Sequence, residues 1–167
     1  MRCRIVALAC LVLFTACSED RIDYNHPYAQ AVAIKKAQQE LDAIVLDIEH
    51  GKLPSILFDF DSDEIKLESY ASLDKIARVL LRYPNVKVMI IAHADAMGTL
   101  EYNTDLSKRR GRAVKEYLVK QGVPPTWIRY HGMSYNEPAA DNSTEEGRRQ
   151  NRRVEFRLTT REWEVAW

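Results

Sequence analysis

The fold is decided by residues 86–121, which read VKVMIIAHADAMGTLEYNTDLSKRRGRAVKEYLVKQ. Residues 86–92 are apolar apart from Lys87 and rich in β-branched side chains, a pattern typical of a strand in the middle of a sheet. Polarity begins abruptly at His93 and Asp95. The stretch therefore predicts a buried central strand with polar side chains at its carboxyl end.

A helix is expected after the turn at Gly98, with Asn103 or Thr104 as its N-terminal cap. One face of this helix carries apolar residues at intervals of three and four, namely Leu106, Ala113, Val114, Tyr117 and Leu118. Arg110 lies in phase with that face, and a buried guanidinium needs a carboxylate partner. Asp95 is the nearest candidate in this stretch. Two interpretations stay open: a buried ion pair that holds strand to helix, or an open pair of opposite charges that binds a zwitterion.

Strands and helices alternate along the rest of the chain. The pattern predicts strands at residues 55–60, 128–133 and 153–158, a helix at residues 67–82, and a short helix opened by a capping box at residues 143–146. The last strand alternates strictly, with Val154, Phe156 and Leu158 inward, which suits a place at or near an edge. The predicted fold class is α/β (α+β sandwich), a βαβαβ unit with an additional C-terminal strand and helices packed on one mixed sheet.

Composition and charge argue against several functions. With 24 basic and 24 acidic residues the formal net charge is +0, so no global field favours nucleic acid. All 3 cysteines lie in the first seventeen positions, which leaves no disulfide framework for the domain. The 4 histidines lack metal-ligand spacing and no serine sits in a nucleophile turn. We therefore expect no metal, no cofactor and no enzymatic activity.

Several short motifs follow one another in a set order over residues 57–158. They are Phe58-Asp-Phe-Asp-Ser62, Ala92-His-Ala-Asp95, Gly98, Tyr102-Asn103, Leu106-Ser107, Arg109-Arg110, Asn142-Ser-Thr-Glu-Glu-Gly147 and Asn151-Arg-Arg-Val-Glu155. In this order and spacing they resemble the OmpA C-terminal domain family, which includes the peptidoglycan-associated lipoproteins.

The resemblance implies non-covalent binding of peptidoglycan through the diaminopimelate of its stem peptide. Asp95 matches the aspartate that meets the amino group, and Arg110 matches the arginine that meets the carboxylate. The supporting cleft residues are expected to be His93, Asn103, Leu106, Asn151 and Arg152. Three positions depart from the family pattern: Ala92 replaces a glycine, Ala94 a threonine and Gly111 an alanine.

The N-terminal residues have the pattern of an export signal. Arg2 and Arg4 are basic, residues 5–14 are apolar, and small residues precede Cys17. The segment looks like a bacterial lipoprotein signal, cleaved before Cys17 and acylated there; the alternative is an ordinary signal peptide that ends just before the cysteine. Ser18, in place of an aspartate, resembles the outer-membrane sorting pattern.

Two further segments have no assigned function. Residues 28–49 predict a helix that could space the domain from the membrane, pack on it, or pair with another copy. The C-terminal residues Trp163, Val165 and Trp167 alternate, and they could extend the last strand or cover an exposed apolar surface.

The expected organisation is a signal peptide at residues 1–16, a lipidated N terminus with tether and helix at 17–54, an OmpA-like peptidoglycan-binding domain at 55–160, and an aromatic tail at 161–167. We expect a lipoprotein anchored in the cell outer membrane, with its domain in the periplasm, that tethers the membrane to the wall. The main alternative is a protein-interaction module of a Tol-type envelope complex. A wall-cleaving enzyme is the third hypothesis, disfavoured because an arginine beside the carboxylates keeps them ionised.

Overall fold

A computed structural model describes residues 26–84 and 86–163. The helices are α1 (Pro27–Glu49), α2 (Tyr70–Arg82), α3 (Leu100–Lys120) and α4 (Glu145–Asn151), and the strands are β1 (Lys87–His93), β2 (Ile128–Ser134) and β3 (Val154–Thr159). Single 3-10 turns precede α2 and β2. The predicted α/β class is confirmed, while the predicted signal segment, the expected acylation site at Cys17 and residues 164–167 of the aromatic tail lie outside the described residues.

The sheet has three strands in the order β2-β1-β3. β1 is parallel to β2 and antiparallel to β3, so that Ile90 lies between Tyr130 and Phe156. The prediction of a central, buried β1 and an edge position for the last strand is confirmed. One face of β1, with Val88 and Ile90 fully buried, packs against the helices to form the core.

The strand predicted at residues 55–60 is wrong. This segment makes a single antiparallel bridge between Phe58 and Ile65 and joins no sheet in the described part of the chain. A side chain takes the place of a neighbouring strand, because Leu57 N donates to Ser69 Oγ at 2.9 Å. Phe58 packs against the core, whereas Phe60 is 99% exposed.

Two predicted caps also shift. Thr99 caps α3 by accepting a hydrogen bond from Tyr102 N at 3.2 Å, so the helix begins earlier than an Asn103 or Thr104 cap would allow. Thr144, not Ser143, caps α4 through the backbone N–H of Gly147. In both places neighbouring residues can cap, and the preceding turn decides which of them does.

The helix predicted at residues 28–49 is confirmed as α1, and it packs on the domain. Its buried residues are Ala33, Ala37, Leu41 and Ile44. Glu40 accepts hydrogen bonds from Arg82 at 2.9 Å and from the Tyr83 hydroxyl at 2.7 Å, which ties α1 to the end of α2. Among the described helices, none combines the length and apolar character needed to cross a bilayer.

Glycine lets α3 lie directly on β2. A Cβ added to Gly132 would come 2.7 Å from Lys108 Cα, a backbone atom that cannot move aside. Gly111, where the family pattern has alanine, is less confined: a Cβ there would lie 3.3 Å from Tyr130 Cβ. The close approach holds the first turns of α3 against the end of the sheet that carries Asp95.

We predict that Gly132→Ala lowers the free energy of unfolding by about 3 kcal/mol, because the new methyl must displace the α3 backbone. Gly111→Ala is the matched control. It should change stability by less than about 1 kcal/mol, since the gain in helix propensity offsets a tight but adjustable contact. Denaturant unfolding of both variants measures the difference, and equal losses would show that Gly132 does not set the approach of α3.

Candidate functional site

An open cleft of about 580 Å³ lies at the carboxyl end of β1. It is bounded by the segment after Phe58, the loop after β1, the first turns of α3, and α4. The lining residues are Phe58, Asp59, Phe60, Asp61, Lys66, Ala94, Asp95, Met97, Tyr102, Asn103, Leu106, Arg110, Glu145, Arg148 and Arg152. Charges of both signs alternate around an apolar floor, which suits a ligand that itself carries both charges.

Asp95 lies on the cleft wall and is 9% exposed. Its Oδ1 accepts a hydrogen bond from Met97 N at 2.9 Å, which fixes the carboxylate within its own turn. Its Oδ2 accepts from Arg152 Nη1 at 2.7 Å. The direct pair between Asp95 and Arg110 that strand and helix suggested is absent from the described contacts, and Arg152 is the partner instead.

Arg110 is held through its Nε atom and through one face of its guanidinium. Its Nε donates to Ser62 O at 2.9 Å, and its guanidinium lies 4.9 Å from the centre of the Phe58 ring. Only 8% of the residue is exposed, as the helical phase predicted. Within the described residues neither Nη atom has a hydrogen bond, so two donors remain for a ligand.

The pKa of Arg110 depends on its burial and on the charges near it. Burial lowers the pKa of Arg110, the Asp95 carboxylate opposes that shift, and Arg152 and Arg109 add to it. Arginine nonetheless stays protonated at neutral pH, because its usual pKa lies far above neutrality. A buried cation with unfilled donors gains strongly from a carboxylate ligand.

Arg152 bridges two acidic side chains. Besides its bond to Asp95, its Nη2 donates to Glu145 Oε1 at 2.9 Å, and Glu145 in turn accepts from Arg148 at 2.8 Å. Burial alone would lower the pKa of Arg152, but the hydrogen bonds to Asp95 and Glu145 raise it. The side chain of Arg152 is more than a third exposed, so its ion pair with Asp95 lies at the surface of the cleft.

Asn103 and Leu106 line the cleft from α3. Asn103 is buried, and its Nδ2 donates to Met97 O at 2.8 Å. This bond closes the turn that contains Gly98, whose positive φ of 95° few other residues adopt. Asn103 therefore shapes the loop that presents Asp95, while Leu106 supplies apolar floor.

Asn151 lies outside the cleft and is completely buried. Its Oδ1 accepts from the backbone N–H groups of Ala139 and Ala140 at 2.8 and 2.9 Å. Its Nδ2 donates to Asn142 Oδ1, which also accepts from Ala96 N at 3.0 Å. Asn151 thus positions the loop beside Asp95 from beneath.

His93 is also placed behind the cleft. It is 2% exposed and lines a separate cavity of about 60 Å³ together with Arg110 and Arg152. Its Nε2 lies 3.2 Å from Glu155 Oε1, but neither ring nitrogen has a hydrogen bond in the described structure. Burial lowers the pKa of His93 and the charge of Arg153 lowers it further, while Glu155 opposes both.

Several cleft residues were not predicted from sequence. Phe58 and Ser62 belong to a motif whose first part we interpreted as a strand, and both instead hold Arg110. Arg148 and Glu145 come from α4, far along the chain from β1. Phe58, Ser62 and Glu145 each lie in the motif series, but no local pattern in the sequence points to Arg148. No metal-binding group of three acidic, histidine or cysteine side chains forms among the described residues.

Comparison with known proteins gives consistent matches. The model of the OmpA family matches residues 57–152. Outer membrane porin F of Pseudomonas fluorescens is 43% identical over 100 residues, covering 60% of this chain and 31% of that protein. The peptidoglycan-associated lipoprotein of Rhizobium meliloti is 42% identical over 85 residues, 51% of this chain and 48% of that one. The chain thus spans about a third to a half of the length of these relatives.

A solved structure shares the fold. The crystal structure of the peptidoglycan-associated lipoprotein from Burkholderia pseudomallei superposes with a TM-score of 0.59 at 30% sequence identity. The match covers 62% of this chain and 88% of that chain.

We predict that acid weakens the fold through His93. Because burial lowers its pKa in the folded state, the unfolded chain takes up the proton more readily. This stability is complete above the usual pKa of about 6.5 and is lost as pH falls below it, by at most about 1.4 kcal/mol per pH unit. Thermal unfolding of the native chain, His93→Asn and the exposed control His131→Asn between about pH 5.5 and 8 measures this. Only His93→Asn should flatten the profile, and an unchanged profile would contradict the role of His93.

Proposed function

The chain belongs to the OmpA family, and we propose that its cleft binds peptidoglycan non-covalently, with the diaminopimelate of the stem peptide held between Arg110 and Asp95. The observation that carries this proposal is the state of Arg110. Its guanidinium is buried and oriented by Ser62 and Phe58, yet both terminal nitrogens are left without a partner among the described residues.

A carboxylate is the ligand that such a group binds best. The two Nη atoms of arginine match the two oxygens of a carboxylate and can bind them in parallel. Because Ser62 and Phe58 already fix the guanidinium, little side-chain entropy is lost when the ligand arrives. Burial of Arg110 further strengthens the pair, because the local dielectric is lower than that of water.

Asp95 supplies the opposite charge for the ammonium of the same amino acid centre. In the free cleft Arg152 occupies its Oδ2 atom, so the ligand ammonium must displace Arg152 or share the oxygen with it. Arg152 retains Glu145 when it moves. A residue with both an ammonium and a second carboxylate fits this arrangement, whereas a stem with lysine lacks the carboxylate for Arg110.

The names of the relatives and the N-terminal pattern support the proposed location. One relative is named an outer membrane porin and another a peptidoglycan-associated lipoprotein, so an outer-membrane association supports the wall-binding function. Acylation at Cys17 would anchor the chain in that membrane with the domain in the periplasm. The protein would then act as a non-enzymatic tether between outer membrane and wall.

A protein partner at the same cleft is the second candidate function. The cleft rim exposes Phe60, Met97 and Tyr102, of which Phe60 is almost fully accessible to solvent. Exposed aromatic and methionine side chains are typical anchors of protein interfaces. A Tol-type periplasmic protein could bind this rim and exclude peptidoglycan. Phe60→Ala should then weaken capture of such a protein without abolishing wall binding.

We predict that Asp95→Ala and Arg110→Ala each reduce binding to diaminopimelate-type sacculi at least tenfold, because each removes a charge-assisted contact of about 1.5–3 kcal/mol. Co-sedimentation of the soluble domain with purified sacculi measures the loss. Arg112→Ala, an exposed arginine on the same helix paired with Glu116, is the matched control and should bind normally. Lysine-type sacculi should bind weakly throughout.

Unchanged binding by folded Asp95→Ala and Arg110→Ala variants would contradict the proposed role of the two charged side chains in binding the ligand. If Phe60→Ala alone lost binding, the rim rather than the charge pair would hold the ligand. Dye release from labelled sacculi provides the check for cleavage, and no release is expected.

We also predict that Arg152→Ala binds a soluble diaminopimelate-containing muropeptide several-fold more tightly than the native chain. The variant removes the side chain that competes for Asp95, and a site that starts in the competent state binds with its full intrinsic affinity. Isothermal titration measures the constant, and Arg149→Ala, exposed on α4, is the control. A tenfold loss of affinity would instead show that Arg152 contacts the ligand itself.

A further inference from the structure

The small cavity beside His93 borders the cleft and has a volume of about 60 Å³. One part of its wall is apolar and comes from Ile56, Leu57 and Phe58. The rest of the wall consists of His93 and three arginines. A space of this size holds a few water molecules or a monoatomic ion. The apolar wall favours an ion that gives up its water of hydration easily.

Two of the three arginines are neutralised by neighbouring carboxylates. Arg152 pairs with Asp95 at 2.7 Å, and Arg153 pairs with Glu155 at 2.6 Å. Arg110, the third, forms no ion pair among the described residues. The excess positive charge beside the cavity therefore comes from Arg110, and a buried cation of this kind is stabilised by an anion.

Arg110 has enough N–H groups to bind an anion in the cavity as well as a ligand in the cleft. Its Nε donates to Ser62 O, and its two terminal nitrogens form no hydrogen bond with the described residues. A guanidinium carries more N–H groups than one carboxylate can use. A carboxylate in the cleft would therefore leave donors of the same arginine for the cavity.

His93 is the second group with unmade hydrogen bonds at this cavity. It is 2% exposed, and neither ring nitrogen has a hydrogen bond in the described part of the chain. Nε2 lies 3.2 Å from Glu155 Oε1, whereas Nδ1 points in a different direction from the ring. A polar group buried without a partner costs free energy, so the cavity favours an occupant that bonds to the ring.

We propose that this cavity binds chloride, and that chloride is taken up together with a proton on His93. A protonated ring has an N–H group on both nitrogens. Nε2 would then donate to Glu155, while Nδ1 and Arg110 would donate to the anion. Charges would alternate from Arg110 through chloride and His93 to Glu155. This inference does not depend on the ligand proposed for the cleft.

The other charged groups around His93 are compatible with this occupant. Glu155 is paired with Arg153 at 2.6 Å and with Arg157 at 3.0 Å. Glu137, from the loop after β2, lies 3.6 Å from Arg157. Burial and the charge of Arg153 lower the pKa of His93, and a bound anion would oppose both effects. Binding of chloride and binding of the proton must therefore favour each other.

Histidine NMR of the full chain, purified in mild detergent and isotope-labelled at histidine, tests the proposal. The 4 histidines give separate signals, which single His→Gln variants assign. The pKa of His93 should be higher by at least about 0.5 in sodium chloride than in sodium gluconate at the same ionic strength, because chloride stabilises the protonated ring. The exposed His131 is the internal control and should titrate alike in both salts.

Arg110→Gln should abolish the difference between the two salts. Arg112→Gln, at an exposed arginine on the same helix, is the matched control and should retain it. Equal pKa values of His93 in chloride and gluconate, measured on the native chain, would overturn the proposal whether or not the variants fold. An equal rise in sodium sulfate would also overturn it, because this larger and more strongly hydrated anion would bind in the open cleft.

Discussion

The burial of Arg110 is the constraint on which the cleft depends. A guanidinium on the inward face of α3 can be tolerated only if its hydrogen bonds and its charge are met. The domain meets part of that need with Ser62 O and the Phe58 ring, and the two terminal nitrogens form no hydrogen bond within the described residues. The segment around Phe58 consequently contacts Arg110 and does not join the sheet, so the strand predicted there does not form.

The opposite charge is held by a longer chain of contacts. The Asp95 carboxylate is fixed by a hydrogen bond within its own turn, and Asn103 closes that turn. Asn151 and Asn142 hold the neighbouring loop in place. Most of these groups lie outside the cleft, but each restricts the position of the Asp95 carboxylate. The placement of Asp95 therefore depends on uncharged amides, which orient the backbone without adding charges that would have to be balanced.

Particular residues show which parts of the fold and the cleft could be predicted from the sequence. Periodicity located β1 and α3, and the phase of α3 placed Arg110 inside, because these patterns depend on neighbours three or four residues away. The same reasoning chose Asp95 as the partner of Arg110. Arg152 was expected in the cleft only through the family resemblance, and local patterns could not pair it with Asp95, which lies 57 residues away along the chain. Local patterns also missed the Thr99 cap, since several residues near Gly98 can cap a helix and only the turn selects one.

The packing of α1 on α2 has a mechanical consequence. As a helix of 23 residues, α1 is about 35 Å long, and it lies along the domain through the buried side chains of Ala33, Ala37, Leu41 and Ile44. If the membrane holds the N-terminal end and the wall holds the cleft, α1 is the first of the described elements to bear tension. Pulling α1 away would expose the core that it shares with β1, so the helix and the rest of the domain would resist the load together. The helix would then act as a rigid part of the domain, and not as a length of chain held in reserve.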